Sequence, residues 1–224
     1  MNIKLFLLPV LLVMVGFSSC TEDDNGMNGP FRSWVTVNAN DSTPMLKTDR
    51  GLYLHVTNAQ GDSAFHEVGD RGNVLYTLVD ATHSDGSTYQ VVMSEFLPAT
   101  IKPFVNDSNG IYKDTRLAAF LGGTVSANYL NVLVDTYESD ESINTLELVR
   151  YSKEETHLDT DSLPVIRVRL QHNVAAVKKT KKTQAVCFNL SHLKVEYPGK
   201  RGYILRFSWK STGDEQEYNL RYTP

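Results

Sequence analysis

Tyr203-Ile204-Leu205-Arg206-Phe207-Ser208-Trp209-Lys210 decides the fold class of this 224-residue chain. Tyr203, Leu205, Phe207 and Trp209 fall on one side, and Ile204, Arg206 and Ser208 on the other. Side chains of an extended strand alternate between faces, whereas a helix repeats every 3.6 residues. The stretch therefore predicts a strand with an apolar inner face and a wetter outer face.

The same period runs through the second half. Leu130, Val132 and Val134 alternate with Asn131, Leu133 and Asp135, and Leu146 and Leu148 with Glu147 and Val149. Ile166, Val168 and Leu170 alternate with Arg167, Arg169 and Gln171; Val186, Phe188 and Leu190 form another face, and Tyr218, Leu220 and Tyr222 close the chain. Strands that bury one face and wet the other favour antiparallel pairing. Six or so of them in ~110 residues predict an immunoglobulin-like β-sandwich over residues 111–224.

The first half reads as shorter strands. Trp34-Val35-Thr36-Val37 opens it; Leu52, Leu54 and Val56 alternate with Tyr53, His55 and Thr57; Val74 to Val79 is nearly continuous and apolar, as in a strand covered on both faces. His83 to Ser87 reads as a hairpin loop, and Tyr89, Val91 and Met93 resume the alternation. Pro98 and Pro103 confine Ala99–Pro103 to a short edge strand. About five strands in ~70 residues suit a small, partly open, OB-like barrel over residues 34–110. Asn106-Asp107-Ser108-Asn109-Gly110 is dense turn chemistry and marks the boundary. Arg116–Leu121 is the best helix candidate, stopped by Gly122-Gly123. The fold class is thus all-β, the OB-like barrel followed by an antiparallel sandwich.

The N-terminus carries an address. Lys4 is followed by an apolar run from Leu5 to Phe17, long enough for a signal-peptide core and short of the ~20 residues that span a bilayer as a helix. Phe17-Ser18-Ser19-Cys20 resembles the bacterial lipobox, with Phe17 in the aliphatic position. Residues 1–19 are expected to be removed and Cys20 to carry lipid as the new N-terminus; the further acyl chain that lipobox proteins receive makes the anchor stable. Residues 20–33 read as a polar tether. Its Thr21-Glu22-Asp23-Asp24-Asn25-Gly26 resembles the acidic surface-export signal of Bacteroides-group lipoproteins, so the expected place is the outer membrane, facing outward.

Composition narrows the chemistry. The net charge is −4, and loss of Lys4 makes it −5, which argues against a nucleic-acid partner. With Cys20 committed to lipid, Cys187 lies in a strand-like run as a buried small hydrophobe. His55, His66, His83, His157, His172 and His192 are scattered without a short-spaced metal pair. Asp80 to Gly86 lacks the carboxylates of a calcium loop, and Asp159 and Asp161 read as a charged turn. Ser84-Asp85-Gly86-Ser87 is no nucleophile elbow, and no glycine-rich phosphate loop precedes a helix. No catalytic residue, cofactor or metal is expected. Lys178-Lys179-Thr180-Lys181-Lys182 reads as a hairpin tip serving solubility and edge protection, with contact to an anionic surface as the alternative. Tyr129, Tyr137, Tyr151, Tyr197 and Tyr203 would stack on sugars if several were exposed together, and otherwise pack in strands.

With these residues laid out, the chain resembles the NigD-like family of Bacteroides-group lipoproteins. The resemblance rests on the lipobox and acidic tether, Gly51-Leu52-Tyr53-Leu54, Gly69-Asp70-Arg71 before Val74-Leu75-Tyr76, Tyr129-Leu130-Asn131-Val132, Cys187-Phe188-Asn189-Leu190-Ser191 and Phe207-Ser208-Trp209-Lys210. Gly72-Asn73 departs from the family pattern, which passes from Arg directly to an apolar residue. The resemblance implies an OB-like domain followed by a β-sandwich, no catalytic residues, and a protein-interaction role of the bacteriocin-immunity kind. A glycan-binding accessory lipoprotein of a polysaccharide-utilisation system is the alternative, because OB-like grooves and sandwich loops both accommodate oligosaccharides. The partner is therefore an unknown protein or glycan, besides the membrane through Cys20.

Overall fold

The computed structural model describes residues 30–38, 45–59, 67–79, 88–106, 117–137, 144–150, 156–157, 163–174, 180–211 and 215–222. Five strands build the first unit: β1 (Phe31–Asn38), β2 (Met45–Thr48), β3 (Tyr53–Ala59), β4 (Arg71–Leu78) and the N-terminal part of β5 (Thr88–Asn106). Their pairings form a ring, β1-β2-β3-β5-β4 and back to β1, in which β3–β5 is parallel and the others antiparallel. A five-stranded ring of this kind is the OB architecture, as the strand spacing predicts. It encloses Val35, Val37, Leu46, Leu54, Val56, Val74, Tyr76, Val91 and Met93. The first strand begins at Phe31, ahead of Trp34.

The second unit contains β6 (Ala119–Ser126), β7 (Tyr129–Tyr137), β8 (Asn144–Arg150), β9 (Thr156–His157), β10 (Pro164–Val174), β11 (Lys181–Asn189), helix α1 (Ser191–Glu196), β12 (Tyr203–Lys210) and β13 (Glu215–Tyr222). One layer is β5-β11-β7-β6 and the other β5-β8-β10-β12-β13, so β5 belongs to both. Leu130, Val132, Val134, Leu146, Leu148, Ile166, Val168, Leu170, Val186, Phe188, Leu205 and Phe207 face one another between the layers. These are the positions marked by the period-two pattern. The two layers are tied beside β6, by Leu117 N–H to the carbonyl of Lys210 at the end of β12 (2.9 Å) and by the Tyr222 hydroxyl of β13 to Asn128 Oδ1 (2.7 Å). Phe120 stacks on Trp209 with ring centroids 4.1 Å apart, closing that side of the core.

Four features differ from expectation. Pairing is mixed: β3–β5, β5–β8, β5–β11 and β10–β12 are parallel. The chain makes room for them by crossing between layers, where a hairpin would enforce antiparallel order. Second, Ala99–Pro103 is no separate edge strand but the continuation of β5. Pro98 makes the last pair with β4, opposite Gly72, and Ala99 the first with β11; Pro103 makes the last pair with β11, and Phe104 the first with β8. Both prolines thus stand where one ladder stops and the next starts, where a missing N–H costs least. Third, Ala119–Leu121 is the start of β6 and not helix, because Phe120 earns its burial against Phe207 and Trp209. Fourth, Lys181 and Lys182 open β11 opposite Tyr137 and Thr136 of β7, while β10 pairs with β8, β9 and β12. Lys181 and Lys182 therefore begin a strand of the other layer and do not cap a β10–β11 hairpin; Lys178 and Lys179 lie outside the described residues.

Candidate functional site

The most concentrated polar chemistry lies where the two units meet. The turn after β2 starts it: Gly51 N–H donates to the Thr48 carbonyl (2.9 Å), with Gly51 at φ 89°. Only glycine adopts that backbone without strain, and it completes a tight hairpin that leaves Asp49 pointing inward. A second turn precedes β4. Asp70 Oδ2 accepts from Glu67 N–H (3.1 Å), Gly69 stands at φ 96°, and Arg71 enters the junction.

Arg71 Nη2 donates to both oxygens of Asp49 (2.9 and 2.8 Å) and to Asn131 Oδ1 (3.0 Å), and Nη1 donates to Thr36 Oγ1 (3.0 Å). Asp49 Oδ2 also accepts from Ser126 Oγ (2.6 Å) and Asn131 Nδ2 (3.0 Å). Cys187 Sγ donates to Asn131 Oδ1 (3.1 Å), and the Arg71 guanidinium lies 4.3 Å from the centroid of the Tyr129 ring. Arg71 is 4% exposed, and Asn131 and Cys187 are 0% exposed. Thr36, Asp49 and Arg71 come from the first unit; Ser126, Tyr129, Asn131 and Cys187 come from the second.

Electrostatics keeps Arg71 charged. Burial alone would lower the Arg71 pKa, and its hydrogen bonds and attraction to Asp49 outweigh that, leaving it above the ordinary value. Burial pushes the Cys187 thiol up against the pull of Arg71, so it stays protonated and donates to Asn131. Asp49 accepts four hydrogen bonds, one at Oδ1 and three at Oδ2, while Arg71 Nε is buried without a partner. Chemically this is a latch between two units, closed to substrate.

A smaller network holds α1. Arg150 donates to Glu196 Oε1 (2.5 Å) and to the Tyr197 hydroxyl (2.6 Å), while His192 stacks on Phe104 at 4.9 Å. Burial lowers the His192 pKa, with Glu196 raising it and Arg150 lowering it further.

Against this geometry, solved structures share the fold. A protein of unknown function from Bacteroides vulgatus aligns with TM-score 0.66 at 18% identity, covering 88% of this chain and 92% of that chain. A NigD-like immunity protein from Bacteroides caccae aligns with TM-score 0.58 at 17% identity, covering 87% of this chain and 97% of that one. The chain has the NigD-like fold. A presumptive lipoprotein from Bacteroides fragilis has it too, with TM-score 0.58 at 12% identity and coverages of 87% and 99%. No family model and no curated protein matches the sequence.

The residues that carry the NigD-like resemblance now have physical places. Gly51 shapes the turn of Asp49, Gly69-Asp70 delivers Arg71, and Tyr129, Asn131 and Cys187 receive it. Cys187 is buried as expected; its thiol bond and the ion pair beside it were not foreseen. Cys20 and the lipobox lie outside the described residues, as do Tyr151, His66, His83, Asp80 to Gly86, and Asp159 and Asp161. His172 is buried. Among the described residues no group of three His, Cys, Asp or Glu side chains is placed to hold a metal, and no helix is long and apolar enough to cross a membrane. Tyr129, Tyr137 and Tyr197 are half-buried and Tyr203 is buried; the exposed aromatic among the described residues is Tyr218.

Proposed function

We propose that this chain is a non-catalytic lipoprotein of the cell envelope, lipid-anchored through Cys20 at the outer membrane and facing outward, that acts by binding another protein. What carries the reading is the fold shared with a NigD-like immunity protein over 87% of the chain, together with the Phe17-Ser18-Ser19-Cys20 lipobox. The junction is in keeping with it: Asp49 and Arg71, the charged groups that would draw attention as catalytic, are buried and bonded to each other. The tyrosines singled out for sugar stacking do not form an exposed row among the described residues, so the glycan reading gains no support from them.

The anchor is tested by Cys20→Ala, which should move the protein from the detergent phase to the aqueous phase; continued detergent partitioning overturns it. Protease treatment of intact cells should remove the protein if it faces outward, and full protection overturns that orientation. For the immunity role, cells deleted for this chain should become sensitive to culture supernatants of related strains. Re-expression should restore resistance, and Cys20→Ala should not. Equal survival with and without the chain overturns the immunity reading.

A further inference from the structure

Beside α1, the loop leading into β12 forms a depression of about 220 Å³ lined by Leu193, Lys194, Tyr197, Lys200, Gly202 and Tyr203. That is smaller than the usual pocket for a drug-sized ligand and suits a single compact group. Lys194 and Lys200 are exposed on its rim, no acidic side chain lines it, and neither lysine is ion-paired among the described residues. The acid of α1, Glu196, is already engaged by Arg150, and the Tyr197 hydroxyl by the same guanidinium. Tyr203 is 3% exposed, and its hydroxyl has no hydrogen-bond partner. Burial beside Tyr222 raises its pKa, so it remains a donor at any physiological pH. A buried donor without an acceptor is an unmet cost that an incoming oxygen relieves.

We propose that this depression binds a small oxyanion, a phosphate or carboxylate group borne on a larger polar ligand, between Lys194 and Lys200 and over the Tyr203 hydroxyl. Two ammonium groups supply charge, the buried hydroxyl is an unpaired donor, and no carboxylate lines the depression.

Inorganic phosphate titrated at constant ionic strength, followed by amide ¹⁵N–¹H shifts, tests this. Saturable shifts at Lys194, Tyr197, Lys200 and Gly202 are expected. Lys194→Gln with Lys200→Gln should weaken binding about tenfold or more, as loss of charge-assisted bonds does. Tyr203→Phe should keep the parent Tm, since it removes an unpaired group, and still weaken binding. Non-saturable shifts, or affinities unchanged by all of these substitutions, overturn the proposal. A pelleting arm with vesicles of phosphatidylglycerol in phosphatidylcholine separates the sources: co-sedimentation without free-phosphate binding means a surface-charge effect and also overturns it.

Discussion

Arg71 places a full charge at 4% exposure, and that is tolerable because Asp49, Asn131 and Thr36 accept its hydrogen bonds. Breaking a buried pair costs more than the pair itself contributes, because the survivor keeps its desolvation penalty. Arg71→Met is expected to lower stability by ~3–5 kcal/mol in urea unfolding. Arg71→Lys should not restore it, since one ammonium does not span Asp49, Asn131 and Thr36 as the guanidinium fork does. Near-parental stability in either variant would show that the latch is decorative. One position along, Gly72 has a packing reason. A Cβ there would collide with the Phe96 ring, so glycine lets the ring lie across β4. Gly72→Ala should cost ~1–3 kcal/mol as overpacking does, and Phe96→Leu in the same chain should recover part of it. Gly72, where the chain departs from the family pattern, is thus matched to its diagonal neighbour on β5.

β5 shows how an element is built from conflicting local signals. Its inward positions are odd at Val91 and Met93 and even at Phe96 and Phe104, and the change follows a register shift opposite Leu75/Tyr76 of β4. A bulge re-phases a strand by one residue, which lets one strand serve two cores. At α1, His192 gives a pH prediction. Its folded pKa is lowered, so as pH falls through the unfolded value of about 6.5 the unfolded chain takes up a proton that the folded chain refuses. Stability therefore drops with acid in that window. His192→Gln should make Tm fall less between pH 7 and pH 5; an identical slope would show that His192 titrates normally. The sandwich strands were legible because Leu130-Val132-Val134 and Ile166-Val168-Leu170 bury one face each, so local pattern and tertiary packing agree. Arg116–Leu121 misled because so short a stretch cannot distinguish a helical turn from a strand, and Phe120 is decided by Trp209, far along the chain. The prolines of β5 read as the bounds of a short edge strand because their meaning depends on where other ladders end. The latch was invisible for the same reason, its partners being 22, 60 and 82 residues apart.

At the scale of the molecule, β5 and the latch make the two units mechanically one. A shared strand carries hydrogen bonds to both cores, and the Asp49–Arg71–Asn131 network joins them beside it. Unfolding either unit alone would strip part of β5 and expose a buried ion pair, so the partly unfolded states are penalised and the transition should be cooperative. The chain holds two tryptophans, Trp34 in β1 and Trp209 in β12, one in each unit. Single-tryptophan variants, Trp209→Phe and Trp34→Phe, therefore report the units separately. The midpoint from each variant's tryptophan fluorescence should coincide with that of its own far-UV circular dichroism. Adding Arg71→Met should lower both fluorescence midpoints and pull each away from its dichroism curve, with smaller m values because each step exposes less surface. Fluorescence and dichroism that already disagree with Arg71 in place would mean that β5 does not couple the cores. Coincidence that persists after Arg71→Met would assign the coupling to β5 alone and leave the latch a local role.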